Sequence, residues 1–190
     1  VYHCQRKARE QMCHEGMDQV ENNSEPLATL IIPAWNEERR MPASLERVVA
    51  YVRSQPSPIE VVVVDDGSED RTAAIVEAFA QEHDFIRLVR NPHGGKGAAI
   101  KTGVSQSRGQ YLVLSDTDLS VPIEEMAKFL PPVLDGYDVA IASREAPGAE
   151  RIDEPYYRHL MGRVYNALVR LAAVPGIQDT QCGFKAFRRE

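Results

Sequence analysis

The sequence predicts an α/β domain of the doubly wound kind, with a mainly parallel sheet and helices on both faces. Two observations predict it. Short continuous apolar runs, VVVV at 61–64 among them, recur along the chain and are separated by segments of helical periodicity. Strands that are apolar on both faces belong in a sheet covered on both sides, and strands alternating with helices make parallel crossovers. Acidic and turn-forming residues also cluster directly after those runs, at the carboxyl ends of the strands, where open parallel sheets bind their ligands. At 190 residues the chain accommodates one such domain with its own core and is too short for two of ordinary size.

Residues 1–26 are polar and mixed in charge, without sustained apolar periodicity, and read as a poorly ordered tail. His3, Cys4, Cys13 and His14 within it match no zinc-ligand spacing. The domain proper is expected over 27–190. Its first strand is LATLIIP at 27–33, followed by a helix over 37–53. IEVVVV at 59–64 is the second strand, leading into a helix that ends at 82. FIRLVR at 85–90 precedes a helix over 96–107, and QYLVLS at 110–115 precedes a helix over 122–134. YDVAIAS at 137–143 is the fifth strand. A last long helix over 155–173 carries Tyr157, Leu160, Met161, Val164, Leu168 and Leu171 on one apolar stripe, with Arg158, Arg163 and Arg170 outside it.

Composition excludes several partners. The net charge of −6 and pI near 5.4 provide no general attraction for nucleic acid, so an anionic ligand must be held locally. Three cysteines, Cys4, Cys13 and Cys182, form no disulfide-scaffold or CxxC pattern and fit a reducing compartment. No apolar run reaches the ~20 residues of a membrane-spanning helix. A soluble chain is expected, placed in the cytoplasm or on the cytoplasmic face of a membrane. It starts at Val1 and stops on charged residues just after a motif, so a catalytic domain truncated at its C-terminus is expected.

The strand ends carry the chemistry. Asp65, Asp66, Gly67, Ser68 and Asp70 follow VVVV. Turn and cap requirements account for Gly67, Ser68 and Asp70. Two adjacent carboxylates are less easily explained, since they repel unless cations or hydrogen-bond donors meet them, and Asp66 is therefore read as functional. Asp116-Thr117-Asp118 follows YLVLS. Such an acidic pair suits a hard cation, Mg²⁺ or Mn²⁺, that shares its shell with phosphate oxygens. The turn His93-Gly94-Gly95-Lys96-Gly97 runs into a helix. It is neither a Walker A loop nor a dinucleotide fingerprint, and Lys96 fits equally a solvated turn lysine and a phosphate contact.

Taken together, PAWNEE, VVVVDDGSEDRT, NPHGGKGAAIKTG, SDTDLS and DTQCGFKAF, in this order, resemble family 2 glycosyltransferases over residues 27–189. Within them the chain looks most like the dolichyl-phosphate β-glucosyltransferase group of polyprenyl-phosphate glycosyltransferases. The resemblance implies a GT-A type (nucleotide-diphospho-sugar transferase) fold. It implies an inverting transfer of a hexose, glucose from UDP-glucose, onto a polyprenyl or dolichyl phosphate at a membrane surface. Pro33, Trp35, Asn36, Glu38, Asp66, Gly67, Ser68, Lys96, Asp116 and Thr117 fall in the implied nucleotide-sugar site, and Trp35 departs from the tyrosine common at its place. Asp116 and Asp118 match the metal-holding DxD element. Ser143, Arg144 and Arg158 are the candidates for the acceptor phosphate, and Asp179 for orienting the sugar or acting as a base. Asp118, Asp179, Arg144 and Arg158 are thus the expected catalytic set.

Other functions remain to be separated. A GDP-mannose transferase of the dolichyl-phosphate mannose synthase kind shares the early motifs. DTDLS resembles the nucleophile motif of haloacid-dehalogenase phosphatases, but here it follows the fourth expected strand rather than the first, which leaves DDGSED unexplained. A non-catalytic nucleotide-sugar-binding fragment is the third alternative.

Overall fold

The structure is a computed structural model that describes residues 3–5, 25–133, 136–142 and 182–189. Its strands are β1 (His3–Gln5), β2 (Ala28–Ala34), β3 (Ile59–Asp65), β4 (Ile86–Arg90), β5 (Tyr111–Leu114), β6 (Val139–Ile141) and β7 (Lys185–Arg188). Its helices are α1 (Met41–Ser54), α2 (Thr72–Glu82) and α3 (Lys96–Gln106), with a 3₁₀ segment at Ile123–Phe129. The strands form one sheet in the order β1-β6-β7-β5-β2-β3-β4. The run β5-β2-β3-β4 is parallel, as expected. β7 is antiparallel to both β5 and β6, so β6 runs in the same direction as β5 and ends at the same edge of the sheet.

Alternate residues of each central strand serve opposite layers. Leu30, Ile32, Val61, Val63 and Val113 pack into the core that includes Leu45 and Val48 of α1, Val76 of α2 and Met126 of the 3₁₀ segment. Ile31, Val62, Val64, Leu112 and Leu114 pack with Ala99 of α3 on the other face. All four valines at 61–64 are fully buried, worth roughly 1.5–3 kcal/mol apiece. That explains why the run shows no polar alternation: neither face of β3 meets water.

Four boundaries differ from the expectation. α1 starts at Met41 rather than 37, because Pro42 lacks an N–H and is tolerated only in the first turn of a helix. The helix expected over 122–134 is instead the 3₁₀ segment Ile123–Phe129, followed by Pro131–Pro132, which cannot continue a helix. Its buried residues Ile123, Met126 and Phe129 repeat every third position, the spacing that aligns in a 3₁₀ turn. Three residues of the expected tail, His3–Gln5, form β1 and cover the outer edge of β6. β7 was not anticipated, although Cys182, Phe184 and Ala186 are buried and alternate with more exposed neighbours in the period of a strand. The expected helix over 155–173 lies outside the described residues.

Candidate active site

The loops after β2 and β3 are stitched to each other. Asn36, at φ 53°, donates its backbone N–H to Ser68 Oγ at 3.0 Å, and its side-chain Oδ1 accepts from Glu69 N at 2.9 Å. Asparagine tolerates this left-handed conformation better than most residues. Glu37 N donates to Thr72 Oγ1 at 2.8 Å, and Glu38 N to Asp70 Oδ2 at 3.1 Å. Glu38 in turn accepts from Arg71 N at 3.2 Å. Burial opposes the charged form of Asp70. The Thr72 hydroxyl and N–H and the Glu38 N–H outweigh it and hold the carboxyl below the ordinary aspartate range. Asn36, Glu38 and Ser68, expected to touch the nucleotide, therefore spend these groups on shaping the two loops.

Asp66 organises the glycine-rich turn. Its carboxylate is buried and accepts from Gly94 N at 3.1 Å and Gly95 N at 2.7 Å, and His93 Nδ1 lies 3.0 Å from Oδ2. The same Nδ1 lies 3.0 Å from the Asp66 carbonyl oxygen. Both neighbours only accept, which puts the ring proton on Nδ1. The repulsion expected of adjacent acids is met for Asp66 by these donors. Gly67 lies at φ 72°, and a Cβ there would sit 2.8 Å from His93 N, so the turn requires glycine on both counts. The His93 ring stacks on Trp35 with centroids 4.9 Å apart. Trp35 remains 51% exposed, leaving an aromatic shelf beside the cleft.

The acidic turn after β5 is fixed by two bonds from outside and one within it. Ser44 Oγ of α1 donates to Thr117 O at 2.5 Å, Thr117 Oγ1 donates to Pro33 O at 3.1 Å, and Leu119 N donates to Asp116 O at 3.1 Å. Thr117 is buried and serves as the peg between β2 and this turn. Asp118 Oδ1 accepts from Ser120 N at 3.0 Å and also from the Ser120 hydroxyl. Asp116 Oδ1 pairs with Lys96 Nζ at 2.5 Å. Gly183, entering β7, lies against the same carboxylate: a Cβ there would sit 2.8 Å from Asp116 Cγ. Phe184 holds that approach, buried edge-to-face on Phe129 with centroids 5.2 Å apart.

These pieces surround a cleft of about 360 Å³ whose walls include Pro33, Trp35, Asp66, Lys96, Asp116, Thr117 and Asp118. Glu37 and Arg40 add a further acid and base. Seven of the sequence-predicted site residues thus converge, at the end of β2 and in the loops that follow β2, β3, β4 and β5. His93, Ser44 and Gly183 also shape the site without having been assigned roles from sequence. A glycine beside an acidic motif in space leaves no signal in the chain order. Ser143, Arg144, Arg158 and Asp179 lie outside the described residues.

The donor set fits a hard divalent cation in part. Asp116 and Asp118 offer carboxylate oxygens to one cleft, and among the described residues no group of three or more His, Cys, Asp and Glu side chains forms a cage. Two carboxylates suit an ion that completes its shell with water and phosphate oxygens. Also among the described residues, no helix is long and apolar enough to cross a membrane.

A family model described as glycosyl transferase family 2 matches residues 29–190. A dolichyl-phosphate beta-glucosyltransferase of Trichomonas vaginalis is 37% identical over 179 residues, covering 88% of this chain and 53% of that protein. The human dolichyl-phosphate beta-glucosyltransferase is 34% identical over 179 residues, covering 85% of this chain and 55% of that protein. The chain therefore spans about half the length of the curated relatives it matches. Among solved structures, glucosyl-3-phosphoglycerate synthase from Mycobacterium tuberculosis, in complex with Mn²⁺, UDP-glucose and phosphoglyceric acid, superposes with a TM-score of 0.59 at 23% identity. That match covers 86% of this chain and 56% of the other, and it supports the GT-A fold.

Proposed function

The chain belongs to glycosyl transferase family 2, and from that premise we propose that its cleft binds UDP-glucose with a divalent cation and passes glucose, with inversion, to a polyprenyl or dolichyl phosphate. The observation that carries this reading is the meeting of Asp116 and Asp118 with the Trp35 shelf on one cleft at the ligand edge of the sheet. The names of the relatives from Trichomonas vaginalis and Homo sapiens support glucose and dolichyl phosphate. The fold neighbour that holds Mn²⁺ and UDP-glucose supports the metal and the donor.

The chemistry asks little of a general base. An acceptor phosphate oxygen is already anionic when it attacks the anomeric carbon. The bond that breaks is the one from that carbon to the diphosphate, so the greater demand is stabilising the departing nucleoside diphosphate. A cation, Mg²⁺ or Mn²⁺, held by Asp116 and Asp118 supplies positive charge beside that leaving group. Pro33 and Trp35 border the nucleotide. Asp66 serves it indirectly, by holding the His93–Gly95 turn against the cleft. Asp179 orients the sugar, and Ser143, Arg144 and Arg158 receive the acceptor phosphate, for which arginine offers forked donors. The protein then works peripherally on the cytoplasmic face of a membrane.

Transfer of labelled glucose from UDP-glucose to a polyprenyl phosphate in detergent tests the reaction. Arg144→Ala or Arg158→Ala should slow that transfer by about ten- to a hundredfold, the range for a lost charged hydrogen bond, while leaving UDP-glucose binding intact. Loss of UDP-glucose binding in these variants would contradict the acceptor assignment.

A further inference from the structure

The Lys96–Asp116 pair occupies the place where the cation is expected to act. Lys96 Nζ sits 2.5 Å from Asp116 Oδ1, on a side chain that is 57% exposed and rises from the first residue of α3. Gly183, just before β7, lies against the same carboxylate, whose side chain stays 37% exposed. Asp118 stands two residues along in the same turn, its Oδ1 held by Ser120. Without an added cation, two carboxylates beside each other repel, and one ammonium offsets that repulsion.

From this geometry we propose that Lys96 is an internal counter-ion that competes with the divalent cation for Asp116 and yields it more readily when a diphosphate arrives. The inference rests on the reading of Asp116 as a metal ligand. A divalent ion on Asp116 and an ammonium at contact distance from the same oxygen exclude each other by like-charge repulsion. The ammonium must then leave, and the negative oxygens of a nucleoside diphosphate in the same cleft are the partner that receives it. Because Asp116 and Asp118 alone do not complete a cation's shell, the diphosphate both supplies oxygens to the metal and compensates Lys96. Metal and nucleotide accordingly bind with positive coupling, each raising the other's affinity by the same factor. The competition keeps the metal from binding tightly before the nucleotide.

The test is titration of the full chain with Mn²⁺ alone, followed by calorimetry or by the loss of the free-ion electron paramagnetic signal, for wild type, Lys96→Met and Lys96→Arg. Lys96→Met should bind Mn²⁺ about fivefold tighter, the factor that an exposed ion pair of ~1 kcal/mol would impose. Lys96→Arg should remain close to wild type. With saturating UDP present, the advantage of Lys96→Met should disappear or reverse, because the diphosphate then lacks its ammonium. Equal or weaker Mn²⁺ binding by Lys96→Met without nucleotide, including no binding by either protein, overturns the proposal. Asp116→Asn separates the two levels. If it leaves Mn²⁺ binding unchanged, the metal reading of the cleft itself fails, whereas loss of Mn²⁺ binding in Asp116→Asn with no gain in Lys96→Met removes only the counter-ion role.

Discussion

Gly183 shows how much of the site depends on what a residue lacks. The Asp116 carboxylate rests where a Cβ of residue 183 would be, so Gly183→Ala must displace the acid or the start of β7. The expected result is Mn²⁺-dependent UDP-glucose binding weakened about tenfold, with a melting temperature close to wild type. Calorimetry beside a thermal melt checks it, and unchanged binding would show that Asp116 needs no such fixed position. Asp118→Asn should lose the metal-dependent part of the binding through direct removal of a ligand charge. At this scale the sequence was informative about chemistry and poor about partnership. The Asp116–Asp118 pair and the acids after β3 were legible because their residue type and strand-end position already imply charge at a ligand edge. The loop-bracing bonds of Asn36, Glu38 and Ser68 were not readable, since their partners lie in the facing loop more than 30 residues away.

Elements away from the cleft keep its edges in register. Glu60, near the start of β3, is buried and accepts from Thr29 Oγ1 at 2.7 Å, Arg108 N at 2.9 Å, and the Nε atoms of Arg108 and Arg87, each at 2.9 Å. Burial opposes its ionised form, but these donors outweigh it, led by the Arg108 N–H, and its pKa lies below the ordinary glutamate value. A lowered folded pKa contributes stability above the unfolded value of about 4.3, and that stability is lost as pH falls through the folded value. Urea midpoints measured from pH 6 down to pH 3, a range of about three units around that value, should fall more steeply for wild type than for Glu60→Gln. Identical slopes would show that Glu60 ionisation does not contribute to stability. Glu60→Ala should cost about 2 kcal/mol, below the usual figure for a broken buried pair because both arginines reach solvent. The parallel strands and α2 and α3 were legible from continuous apolar runs and helical periodicity. The 3₁₀ segment and β7 were harder, because seven- and four-residue elements offer too few turns of any period to separate from their flanks.

For the whole molecule, the doubly wound plan follows from the pattern of buried runs, and the ligand edge follows from the plan. Parallel strands β2, β3, β4 and β5 point to one edge of the sheet, so four loops distant in sequence face one cleft. The antiparallel return of β7 brings Gly183 to the same edge. The proposal of glucose rather than mannose, and of a lipid phosphate as acceptor, is supported by the names of the relatives. The most direct test of the central claim is calorimetric titration of the chain with UDP-glucose and with GDP-mannose, each with and without Mn²⁺. Binding of UDP-glucose should require Mn²⁺ and be lost in Asp118→Asn, with GDP-mannose binding far more weakly. Preference for GDP-mannose, or UDP-glucose binding indifferent to Mn²⁺ and to Asp118, would contradict it.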